Sequence, residues 1–63
     1  MEKFTKFESA IILNALTLGL DSDLKENQAV VDSGKTPIMT AGYIKLIYED
    51  LTERVEKMTR KNN

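Results

Sequence analysis

The chain has 63 residues, nine Lys and Arg against ten Asp and Glu for a net charge of −1, and neither cysteine nor histidine. That length allows one domain, residues 1–63, and that composition excludes disulfides, thiolate chemistry and the zinc sites built from nitrogen and sulfur ligands. A domain this small buries only about 60% of its unfolded surface, so its core needs reinforcement, and association with another chain is the route left open.

Charge and the N-terminal composition narrow the function classes further. There is no basic excess of the kind a phosphate-binding module carries, nor enough acid to mimic DNA. A chain without cysteine fits a reducing cytoplasm, which is the expected location. Lys3 and Lys6 precede an apolar run from Ala10 to Leu20, as in a signal peptide. However, Glu2 and Glu8 dilute the positive end, Asn14 and Thr17 interrupt the run, and no small-residue cleavage site follows before Asp21. The run is also too short to span a membrane.

Helix 1 is expected over about residues 5–33. Thr5 and Glu8 form the reciprocal capping box T-x-x-E, with Phe4 just outside. Gly19 could end the helix, with Asp23 and Glu26 capping a separate one, which would give three short helices with a break at Gly19. Against that alternative, Leu13, Leu16, Leu20, Leu24 and Val31 stay within about 60° of one another on an unbroken helical wheel. A mid-helix glycine costs roughly 1 kcal/mol relative to alanine, which packing of several leucines can offset. The helix therefore runs on, with Gly34 as the residue that stops it.

Helix 2 is expected over about residues 41–61. Starting after Thr40 makes Met39 and Ile44 the two ends of a hydrophobic staple, whereas Thr36 with Pro37 is the competing start. Ile44, Ile47, Tyr48, Leu51, Val55 and Met58 then share one stripe. Asp50 with Arg54, Glu53 with Lys57 and Glu56 with Arg60 are acid-before-base pairs on the exposed side. Lys57, Arg60 and Lys61 suit the negative end of the helix dipole.

Folding these helices together predicts an all-α antiparallel hairpin with Val31 near Ile44, Leu24 near Leu51, Leu20 near Val55 and Leu16 near Met58. The first turns of helix 1, with Phe4 and Phe7, then overhang helix 2 by about 10 Å. Phe4, Phe7, Ile11, Ala15 and Leu18 form a second stripe almost opposite the leucine seam, with Ile12 between the two. One partner helix cannot cover both. Burying each large apolar side chain contributes roughly 1.5–3 kcal/mol, so these residues are the candidate self-association or partner-binding surface. A homodimer closing into a four-helix bundle is the simplest solution, and docking onto a different protein follows the same physics.

Motifs for chemistry fare worse. Residues 30–36 share Gly34-Lys35-Thr36 with a phosphate-binding loop, but Ala29 stands where that loop needs glycine and Pro37 where its helix should continue. Asp21, Asp23, Glu26 and Asp32 brush against a calcium loop, but Lys25 occupies a ligand position and Glu26 the glycine position. Glu49, Asp50, Glu53 and Glu56 lie on the solvated face of helix 2, where carboxylate pKa values are not tuned for acid–base work. No catalytic residue, cofactor or metal ligand is expected.

Charge bears on two further classes. A small dimeric nucleic-acid-binding regulator is the alternative function, with Lys57, Arg60 and Lys61 on phosphates, but that cluster is thin and already suits the helix dipole. Membrane-surface binding through Phe4, Phe7 and Ile11 needs a basic polar face, and helix 1 mixes Lys with Glu and Asp. The residues thus point to a non-enzymatic, self-associating protein–protein interaction module that acts as a small regulator or inhibitor.

Overall fold

The computed structural model describes residues 3–61, which fold into two helices, α1 (Lys6–Asp32) and α2 (Ala41–Lys57), packed as an antiparallel hairpin. Both starts are set by threonine. Thr5 has extended backbone angles, its hydroxyl accepts from the Glu8 amide at 3.1 Å, and its own amide donates to the Glu8 carboxylate at 2.8 Å, closing the expected capping box. Hydrogen bonds to that carboxylate from Thr5, the backbone amide foremost and the side-chain hydroxyl after it, hold the Glu8 carboxyl below its usual range. Thr40 caps α2 in the same way, accepting from the Tyr43 amide at 3.2 Å.

α1 ends in a Schellman arrangement: the Lys35 amide donates to the Val30 carbonyl and the Gly34 amide to the Val31 carbonyl, at 3.1 and 3.0 Å. Gly34 has φ +82°, the left-handed conformation that a side chain resists. Among the described residues it is the one position with positive φ, which is why the helix stops there and not at Gly19.

α1 runs unbroken through Gly19, so the three-helix alternative is not realised. A β-carbon at Gly19 would lie 3.0 Å from the Tyr48 hydroxyl oxygen, so the missing side chain lets the tyrosine ring cross α1 closely. That hydroxyl donates to the Asp23 carboxylate, and the bond holds the phenol above its usual pKa range. Alanine at Gly19 should therefore gain little in the native protein, because its helix preference is opposed by the displaced ring. In a Tyr48→Phe background, where the nearest remaining ring atoms are at ordinary distance, Gly19→Ala should gain about 1 kcal/mol in urea unfolding. Equal gains in both backgrounds would show that the ring does not confine this position.

The register differs from the one expected. Asn27 donates to the Met39 carbonyl at 2.6 Å, which folds residues 33–40 back along the last turns of α1 and starts α2 beside Asn27 instead of Val31. Ile44 consequently faces Asn27 and Val30, while Val31 turns outward, 46% exposed. At the other end Ser9 bonds Thr59, where the leucine register placed Leu16 against Met58. α2 has thus slid between one and two turns toward the start of α1.

Two corrections follow from that slide. The overhang does not exist: the Phe4 amide donates to the Met58 carbonyl and the Arg60 amide to the Phe4 carbonyl, both at 2.8 Å, in a parallel bridge between Phe4 and Thr59. Helix 2 also ends at Lys57, four residues before the expected boundary at 61, because the backbone of 58–60 leaves the helix to make this bridge. The Thr59 hydroxyl donates its single proton to the Val55 carbonyl at 2.7 Å, so Ser9 must be the donor in the Ser9–Thr59 bond. Ser9 is 3% exposed, and its small side chain lets the helix ends meet.

Apolar burial within the hairpin is thin. Ile44, at 5% exposure, is the one buried hydrophobic residue among those described, and Ile12, Leu13, Leu16, Leu20, Leu24, Ile47, Val55 and Met58 are half-buried. The shape is a rod, 49 × 15 × 14 Å between Cα extremes, with a radius of gyration of 14.7 Å against about 11 Å for a compact domain of this length.

Candidate interaction surface

The spacing of apolar residues gives α1 two sides. Ser9, Leu16, Leu20 and Asn27 recur at steps of seven, four and seven and face α2, whereas Phe7, Ile11, Ala15 and Leu18 recur on the opposite side. Phe7 is 77% exposed, Ile11 71% and Leu18 64%, and Ala15 beside them is also exposed. The expected stripe is therefore present as a continuous apolar strip about 16 Å long along α1, at 1.5 Å per residue. Phe4 and Ile12 do not share it fully. Phe4 is half-buried beside the end of α2, and Ile12 is half-buried on the flank between the two sides.

A second exposed apolar group lies at the loop end of the rod, and sequence reasoning missed it. Ile38 is fully exposed, Tyr43 is 55% exposed and Met39 lies beside them. Ile38 and Met39 border a recess of about 520 Å³ whose other apolar walls are Val30, Pro37 and Ile44, with Asp23, Glu26 and Lys35 also lining it. The signal was the run Pro37-Ile38-Met39: an isoleucine in a connection, outside both helical stripes, has no partner in a hairpin. Leu46, 62% exposed on the charged side of α2, stands apart from both groups.

The charged residues form a solvated frame. Asp50 pairs with Arg54 at 2.9 Å as expected, and Asp21 with Lys25 at 3.0 Å, both well exposed and so worth little individually. Among the described residues no group of three acidic side chains is arranged to hold a metal ion, and no helix is long and apolar enough to cross a membrane. Lys57, Arg60 and Lys61 sit at the bridged end, where the Arg60 charge adds to the lowering of the Glu8 pKa.

No protein family model matches this chain, and no curated protein or solved structure compared with it is similar.

Proposed function

We propose that this protein is a small non-enzymatic interaction module that self-associates through α1, suited to a reducing cytoplasm, and that it acts as a regulator or inhibitor by covering a partner surface. The observation that carries this reading is the strip of Phe7, Ile11 and Leu18, each more than three-fifths exposed on the side of α1 turned away from α2. A single buried hydrophobic residue among those described leaves the hairpin short of core, and a second chain would supply what the first lacks.

The surface area supports the same reading. The chain exposes 5198 Å², against about 4,100 Å² for a typical folded monomer of its mass, an excess of about 1,100 Å². A standard protein interface buries about 800 Å² per partner. Light scattering over a concentration series tests the proposal: the mass should rise from one chain to two. Phe7→Asp should weaken that association at least tenfold while leaving the helix content unchanged, since the ring makes little contact within its own chain. A mass of one chain at every concentration would refute self-association.

A further inference from the structure

We infer that the first half of α1 packs antiparallel against the same stretch of a second copy, with Phe7 of each chain on Leu18 of the other. This rests on the self-association proposed above and fixes which surface of the second copy receives the strip, and in which direction. The strip is its own complement. Phe7, Ile11 and Leu18 lie within about 40° of one another around α1, on the side turned from α2, so one two-fold contact covers all three in both copies. With the two-fold axis level with the middle of the strip, between residues 12 and 13, Phe7 meets the partner's Leu18, and Ile11 meets the partner's Asn14 and Ala15. The phenyl ring then has small neighbours, Ala15 and Ser22, on either side of that leucine.

Charge selects the direction. Lys25 stands about five turns beyond Phe7 and directly in line with it, and Asp32 lies about two turns farther on the same side. Parallel pairing would set each of these against its own copy across the seam, like charge on like. Antiparallel pairing carries both past the start of the partner's helix, because only about residues 3–22 of the two chains overlap. It also brings Asp21 level with the partner's Phe4 and Thr5, at the positive start of α1, in a stretch where Lys3 and Lys6 outnumber Glu8. The pairing of Asp21 with Lys25 in its own chain, at 3.0 Å between two well-exposed side chains, is weak enough to share. The surplus of about 1,100 Å² per chain exceeds the roughly 800 Å² that a standard interface takes from each partner. The loop-end group of Ile38, Met39 and Tyr43 stays outside the contact, at the two far ends of the pair.

A chain without cysteine makes the direction measurable. Gln28→Cys, at an exposed position outside the overlap, takes a spin label. Distances between labels are read by double electron–electron resonance at a concentration where light scattering finds two chains, with circular dichroism confirming the helices. Each label lies about 23 Å from the two-fold axis along the helix, so an antiparallel pair should peak at about 45 Å, whereas a parallel pair holds the labels within about 25 Å. Without any label, small-angle scattering should give a longest dimension of about 70 Å, two 49 Å rods overlapping over about 28 Å, against about 50 Å for rods lying level. Ile38→Glu, at a fully exposed position, should leave the dissociation constant within about twofold of the native value. A label separation below about 35 Å, or a loss of about tenfold in affinity in Ile38→Glu, overturns the antiparallel register while self-association stands. A native protein with the mass of one chain at every concentration overturns both the register and the reading beneath it.

Discussion

Replacing Ile44 with alanine is expected to remove about 2–4 kcal/mol of stability, the usual range for truncating a buried isoleucine. A domain of 63 residues commands about 3–9 kcal/mol in total, so this one change removes a large share of it. Ile44 sits in the first full turn of α2 at 5% exposure and shares its surroundings with Asn27, Val30 and Met39, where loop, α1 and α2 converge. Few other side chains could compensate. Thermal melting followed by circular dichroism should show a midpoint lowered by at least about 10 °C, at roughly 4–8 °C per kcal/mol for small domains. Ile38→Ala, at a fully exposed position, is the control, and at concentrations where the chain is monomeric it should leave the midpoint unchanged. Equal effects of the two would show that Ile44 is not the anchor of the hairpin.

The second large effect is expected at Ser9. Valine there removes the donor to Thr59 and adds bulk at a position 3% exposed where the helix ends meet, at a cost of about 1–3 kcal/mol. Alanine removes the donor alone and should cost about 1 kcal/mol, because Thr59 keeps its bond to the Val55 carbonyl. Amide hydrogen exchange separates a local from a global effect. The Phe4 and Arg60 amides, both bonded across the bridge, should lose protection in Ser9→Val while amides in the middle of α1 keep theirs. Unchanged protection at Phe4 and Arg60 would mean that the bridge stands without Ser9.

These two positions mark the boundary of what was legible in the sequence. The caps were legible because each is settled within three or four residues: Thr5 with Glu8, Thr40 with the Tyr43 amide, and Gly34 in the left-handed conformation. Continuity through Gly19 was legible from the leucine stripe, although the close neighbour that suits a glycine there, the ring of Tyr48, lies 29 positions away. The exposed side of α1 was legible at Phe7, Ile11, Ala15 and Leu18, because helical periodicity alone turns them away from the leucine seam.

Register was not legible, for a physical reason. Sliding one leucine stripe along another exchanges similar apolar contacts, so the hydrophobic pattern barely distinguishes neighbouring alignments. The alignment is pinned by polar contacts spanning 50, 25 and 12 positions: Ser9 with Thr59, Asp23 with Tyr48, and Asn27 with the Met39 carbonyl. A buried hydroxyl tolerates only the alignment that supplies its partner, since leaving it unpaired costs about 1–3 kcal/mol. Extending the seam Leu20, Leu16, Leu13 one further step reaches Ser9, so a small hydroxyl in an otherwise apolar row was the available clue. The boundary of α2 failed for the same cause, because Thr59 and Arg60 are drawn out of the helix by Phe4, far away in sequence.

The bridge between Phe4 and Thr59 is parallel, and this governs how the molecule responds to tension. A tether on residue 3 and another on residue 61 pull the two short segments lengthwise past each other, so the Phe4–Met58 and Arg60–Phe4 bonds are strained together. An ordinary helical hairpin gripped at its ends peels open one turn at a time. Here the shear clasp must rupture as a unit before any turn of either helix is loaded, so a stretched molecule should hold its length to a threshold force and then open abruptly.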